Sequence, residues 1–302
     1  MKPEFKTGMP FADYRAIDAC HKSALKHVKT GKHLKKYEAK DDTDTDALRF
    51  GRLFHTALLD PQGLGELECY ETQEWIAKKD HPDGLSINDQ KALWKKERED
   101  NGIEYFLKAD EAEAIVKMAD AVRSNPLAAK YLDADPAAEA ALFWTDPRTG
   151  LPCKSLLDLC LVSRDIIIEV KTDVDPSPQA FGKKIYNMGY HVGAWFNREG
   201  WRAVHGRDLK AFVYIVVEKS DPHSVGVYVM NAHDFEAGEI DGVPAMIRYK
   251  LIKAGGLQDH NQGEDGQFRE LPVQTPQWVH FKLDGDGEID APEPEGEEGG
   301  AL

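Results

Sequence analysis

Hydrophobic and polar positions change their period along the chain. From Glu139 onward the apolar residues gather in strand-length runs, Glu139–Trp144, Cys153–Val162 and Ile166–Thr172, parted by Asp146-Pro147-Arg148-Thr149-Gly150 and by Ser163-Arg164-Asp165. Gln179–Trp201 then takes helical spacing with a break expected near Gly189, and two further strands, Lys210–Glu218 and Val225–Met230, precede a helix around Phe235–Lys253. Ahead of Glu139 the pattern is helical. Tyr14, Ile17, Ala24, Leu25 and Val28 share one side of a single helix expected over Ala12–Tyr37, Ala47–Leu59 forms a second helix ended by Asp60-Pro61, and a third starts at Asp110 and is stopped by Asn125-Pro126. Gln62–Leu107 is poorly patterned and is expected to include a loop over a site. This order predicts an α/β (α+β) fold, a mixed central β-sheet flanked by helices, with a helical N-terminal part over about residues 1–130 and a sheet core over about 131–255.

One of these runs carries charge where a strand should be buried. In Ile166-Ile167-Ile168-Glu169-Val170-Lys171-Thr172, alternation puts Ile167, Glu169 and Lys171 on one face, the two charged residues about 7 Å apart at about 3.3 Å of rise per residue. Asp158 stands on the preceding run. A two-residue loop of Arg164-Asp165 would pair Ser163 with Ile166 and set Asp158 opposite Lys171 and Cys160 opposite Glu169, whereas a one-residue slip would turn Asp158 to the other face. Two readings are open: a solvated ion pair on a half-exposed sheet, or two carboxylates and a lysine that hold a divalent metal and activate a water. The three isoleucines favour the second, because a strand buried on both faces must pair its charges or bind metal with them.

Composition narrows the class. Cys20, Cys69, Cys153 and Cys160 lie far apart with no C-x-x-C, which argues against structural zinc and a disulfide framework and fits reduced, buried thiols. The opening MKPEFKTGMPFADY lacks the apolar core of a signal peptide and no run is long enough to span a membrane, so a cytoplasmic protein without a membrane partner is expected. The net charge of −15 is unevenly placed: removing the eight acids of Asp284–Leu302 leaves −7. That stretch, rich in Gly, Pro and Glu, reads as a disordered acidic tail at 284–302 behind a single domain over 1–283, and its DGDGEID lacks the helices and closing glutamate of a calcium loop. Lys22, Lys26, Lys29, Lys32, Lys35 and Lys36 make the first helix basic, either as a solvated face or toward phosphate. No Walker loop, G-x-G-x-x-G or G-x-S-x-G is present, which excludes the usual nucleotide-binding and serine-hydrolase readings.

These residues together resemble the PD-(D/E)XK nuclease superfamily and, within it, the RecE-type exodeoxyribonuclease VIII catalytic domain of phages and prophages, over roughly residues 10 to 250. Phe50-Gly51-Arg52-Leu53-Phe54-His55 is similar to a G-x-x-x-H helix, Glu139 to Gly150 to the first strand and turn, Asp158 to the motif aspartate, and Glu169-Val170-Lys171-Thr172 to the (D/E)-x-K-T strand. The resemblance implies a restriction-endonuclease-like core and a metal held by His55, Asp158, Glu169 and the Val170 carbonyl. It makes Asp158, Glu169 and Lys171 catalytic. Magnesium is the implied cofactor, with manganese able to substitute. Glu139 is open to two roles, holding a metal-bound water or forming a structural salt bridge. Lys183, Lys184, Arg198 and Arg202, on the base- and aromatic-rich helical stretch, are candidates to guide DNA phosphate or to be solvated helix charges.

The implied activity is degradation of linear double-stranded DNA from a 5′ end, in a bacterial host's cytoplasm, by a ring-like homo-oligomer that leaves 3′ strands for an annealing protein in phage recombination. Two departures stand against a full transfer: Gly193 and Asn197 replace the Gln and Tyr of the helix motif that begins at Tyr190-His191, and Leu156-Leu157 replaces an Arg-Pro. An endonuclease of the same superfamily, or a catalytically inactive DNA- or protein-binding module with this fold, remains as an alternative.

Overall fold

A computed structural model describes residues 1–39, 46–59, 68–69, 75–100, 106–107 and 109–270. The acidic stretch 284–302 lies outside them, as does 41–45. In chain order the elements are β1 (Glu4–Lys6), α1 (Phe11–Ala16), α2 (Gly31–Glu38), α3 (Asp46–Leu59), β2 (Glu68–Cys69), α4 (Ile87–Asp100), β3 (Phe106–Leu107), α5 (Ala109–Ser124) and α6 (Pro126–Leu132). The sheet core follows as β4 (Ala137–Thr145), β5 (Pro152–Leu161), β6 (Ile166–Asp173), α7 (Pro178–Asn187), α8 (Tyr190–His205), β7 (Ala211–Glu218), β8 (Val225–Val229) and α9 (Ala232–Lys253).

Six strands form one mixed sheet in the order β1-β4-β5-β6-β7-β8, and β2 and β3 pair separately. The strands β4, β5 and β6 form an antiparallel meander, β6 and β7 run parallel with α7 and α8 as the crossover, and β8 returns antiparallel. Ile167 packs with Phe212, Tyr214 and the helix α8 side chains Trp195 and Phe196 on one face of the sheet. Its neighbours Ile168 and Val170 pack with Val213, Ile215 and the helix side chains Leu53, Phe54, Ile115 and Met118 on the other. Both faces of β6 are therefore covered, and Ile167, Ile168 and Val170 are wholly buried, each contributing roughly 1.5–3 kcal/mol.

The long helix expected over Ala12–Tyr37 is instead broken into α1, a 3₁₀ turn at Ala24–His27 and α2. Ile17 leaves α1 in an extended conformation, Cys20 bridges to Cys153 on β5, and Thr30 caps α2 by accepting from the His33 amide. Edge pairing outweighs the helical period there, because the apolar side chains of 19–28 pack against the sheet from an irregular segment. The structure also adds β1, α4 and α6, the last starting at a proline behind an Asn125 cap.

The β5–β6 register differs from the expected one. Leu161 pairs with Ile166 and Leu159 with Ile168, so the loop holds four residues rather than two. Val162–Arg164 form a 3₁₀ turn and Asp165 closes it in the left-handed region, at φ 55°, where a short polar side chain is tolerated. The shift is by two positions, so it preserves which face each side chain takes. No helix among the described residues is long and apolar enough to cross a membrane.

Candidate active site

The site forms where β5 and β6 part. The β4–β5 and β6–β7 ladders each run for eight residue pairs, but the β5–β6 ladder ends after three, at Leu159–Ile168. Beyond it the Asp158 carboxylate accepts from the Val170 amide at 2.8 Å, so a side chain does the work of the missing strand partner.

Asp158 reaches that position through an irregularity shared by two strands. On β5, Leu157 and Cys160 face one core while Leu159 and Leu161 face the other, so the alternation slips by one residue at Asp158. On β4, Ala137 and Ala140 face the first core and Ala138 the second, so the same slip occurs at Glu139. The two slips are at the same level, between the pairs Ala138–Leu159 and Ala140–Leu157. Glu139 has φ 46°, is exposed, and forms no ion pair among the described residues.

The oxygens expected to serve a metal converge on one cation. Lys171 Nζ lies 2.8 Å from Glu169 Oε2, 3.1 Å from the Val170 carbonyl oxygen and 3.4 Å from Asp158 Oδ2. His55, on α3, completes the group from the opposite face of the sheet, with Nε2 3.1 Å from the Val170 oxygen and Nδ1 4.0 Å from Asp158 Oδ2. The His55 imidazole and the Val170 carbonyl, side by side at 3.1 Å, are both donors that a divalent cation accepts. Gly51, one turn before His55, has open space beside it. Among the described residues no three His, Cys, Asp or Glu side chains form a ready-made metal cluster. The reason is local: the Lys171 ammonium stands among the oxygens, and Glu169 Oε1 is turned toward Lys22 and Asn197. The donor set fits a hard divalent cation once the ammonium gives way.

Glu169 is 3 % exposed, and burial alone would raise its carboxyl. Lys171 and then Lys22 overcome that and hold it below the usual carboxylate range. Burial would likewise lower Lys171, but Asp158 and Glu169 hold its ammonium above the usual lysine range. Asn197, wholly buried, donates to Glu169 Oε1 at 3.0 Å and is itself bonded by the Ser155 hydroxyl.

Residues 11–263 match the family model described as a PDDEXK-like domain of unknown function (DUF3799). The chain belongs to this PDDEXK-like family. A solved structure described as a putative exonuclease from Eubacterium rectale shares the fold at 11 % identity with a TM-score of 0.56, covering 93 % of this chain and 100 % of that one. No curated protein matches the sequence.

Within this PDDEXK-like chain, His55, Asp158, Glu169, Val170 and Lys171 are brought together, with Glu139 on β4 at the level of Asp158. The four candidate DNA-guiding bases are not. Lys184 pairs with Asp173 at the site end of β6, and Lys183 beside it is exposed. Arg198 and Arg202 both clasp Asp208, three residues before β7, at the level where β6 begins. Sequence reasoning missed Lys22, taken for part of a uniform basic helix face, and Asn197, taken only as a departure from a motif. A polar residue at helical spacing from the buried Ala194 and Trp201 was the available signal for Asn197.

Proposed function

We propose that the protein is a divalent-metal-dependent deoxyribonuclease that hydrolyses linear double-stranded DNA from an end. The observation that carries this reading is the convergence of Asp158, Glu169 and the Val170 carbonyl on a single cation position, with the His55 imidazole at its edge. Those four groups would hold magnesium, or manganese in its place. When bound, the metal supplies Lewis-acid polarisation of the phosphoryl group and activation of water. Lys171, charged at neutral pH, is placed to orient the attacking water and to offset charge on the phosphoryl oxygens. Asn197 and Ser155 would keep Glu169 turned to its task, and Glu139, at the same strand level as Asp158, is the candidate for an accessory role. Among the described residues Lys183 is the nearer free candidate for guiding DNA, whereas Lys184 would first have to release Asp173, and Arg198 and Arg202 would have to release Asp208.

The finer expectations rest on the resemblance to RecE-type enzymes alone: 5′ to 3′ polarity, a ring-like homo-oligomer, and delivery of 3′ strands to an annealing protein during phage recombination in a bacterial cytoplasm. The G-x-x-x-H helix that carries His55 to the site is part of that resemblance.

End-labelled linear duplex and a covalently closed circle of the same sequence, each incubated with magnesium, test the proposal. The linear form should be consumed and the circle should survive. Equal cutting of the circle would transfer the assignment to an endonuclease, and metal-dependent cutting of neither would favour an inactive binding module.

A further inference from the structure

Lys22 enters the site from a part of the chain that no strand of the core supplies. It lies between the β-bridge of Cys20 and the 3₁₀ turn at Ala24–His27, and its ammonium pairs with Glu169 Oε1, the carboxylate oxygen that Lys171 does not hold. Its path crosses α8 at Gly193, where an added Cβ would meet Lys22 Cδ at 3.6 Å. A single methyl would be tolerated, but a longer side chain would fill the passage. Lys26, one turn further, lies over the Tyr190 ring at 5.4 Å and forms no ion pair among the described residues, and Lys171 approaches the same ring at 6.0 Å. Three ammonium groups thus gather around two carboxylates.

That arrangement poses a conflict of charge. Glu169 cannot offer its full charge to a metal while two ammonium groups hold both of its oxygens, and three lysines beside a divalent cation would repel one another unless an anion joined them. Nucleic acid brings such anions as backbone phosphates.

We propose that Lys22 is a positioning residue that holds Glu169 as its counter-ion in the metal-free protein and transfers to a DNA backbone phosphate, alongside Lys26, when metal takes the carboxylate. Metal and DNA then strengthen each other's binding by the same factor, as linkage requires. The inference rests on the nuclease reading above, since it needs a metal at Glu169 and a phosphate polymer beside it.

Manganese binding by calorimetry, with and without a short duplex of phosphorothioate linkages, tests it on wild type, Lys22→Met and Gly193→Leu. In wild type the duplex should raise manganese affinity on the order of tenfold, within the usual span of such couplings. In Lys22→Met, manganese should bind more tightly than in wild type when DNA is absent, and the duplex should add little. Gly193→Leu should reproduce both effects with Lys22 still present, because it blocks the passage to Glu169. Lys22→Arg, which keeps the charge, should retain the coupling. Unchanged manganese affinity in Lys22→Met and Gly193→Leu, with normal circular dichroism, would reduce Lys22 to a packing residue and overturn the inference. Absence of manganese binding by wild type itself would instead overturn the metal-site reading on which it rests.

Discussion

Asp165, just before β6, and Glu169, midway along it, are each buried among cations, yet the two places differ in kind. At the start, Asp165 accepts from the Trp201 indole and from Arg207, and nearby Asp208 is clasped by Arg198 and Arg202. Midway along the strand, Glu169 is held by Lys22 and Lys171 with Asn197 beside it. Guanidinium groups are planar, permanently charged forks whose bonds fix both partners, whereas ammonium groups are point charges on flexible stems that can be drawn to another anion. The start of the strand also has its ladder complete to β5, while the site end has lost it beyond Ile168. Burial and ion pairing alone do not separate a structural acid from a reactive one. The separation lies in whether the cations can be exchanged and whether unshared oxygens lie close by.

The comparison breaks first on chemistry. Glu169→Gln and Lys171→Ala should each lower cleavage by about a thousandfold or more in gel assays while circular dichroism stays native, since one removes metal-binding charge and the other a cation at the reacting phosphate. Near-normal turnover in either would make the two places equivalent. Asp165→Ala should do the reverse. Losing the acceptor for Trp201 and Arg207 should cost about 1–2 kcal/mol in denaturant unfolding, with cleavage kept at temperatures where the variant is folded. If cleavage fell with no loss of stability, the start of the strand would belong to the site.

The smallest effect is a pH dependence. The Glu169 carboxyl is depressed from its ordinary 4.5, so its ion pairs stabilise the fold in full above that pH and the contribution fades as pH falls toward the depressed value. The unfolding free energy of wild type should exceed that of Glu169→Gln by a constant amount from about pH 8 to about pH 5, and the gap should narrow on further acidification. A gap that widens as pH falls would mean that Glu169 is not the carboxylate those lysines stabilise.

Much of this was legible in the residues. The strands β4 to β8 and the break at Gly189, which sits at φ 63° between α7 and α8, follow from periodicity and turn chemistry. The side-chain set of β6 needed only alternation. The loop before it did not follow, because a four-residue turn closed by a left-handed aspartate is decided by what Asp165 bonds across the fold. Lys22 was hidden for a related reason. Its segment has a helical period in its apolar residues, and only the bridge of Cys20 to Cys153 reveals that the chain is irregular and aims that lysine inward.

The matching slips at Glu139 and Asp158 can be read as a paired insertion. Each strand holds one residue more than its pleat requires, at the same level, so deleting either one alone would restore alternation on its own strand and leave the other's extra residue unopposed as a bulge. Deleting both would restore an unbroken alternation on each strand. The shortened chain would carry a plainer sheet, without the strained backbone at Glu139 and without an acid in the fork, so it should be the more stable and the less capable protein. A sheet of this kind can thus gain or lose its reactive corner by a matched change of one residue in each of two neighbouring strands.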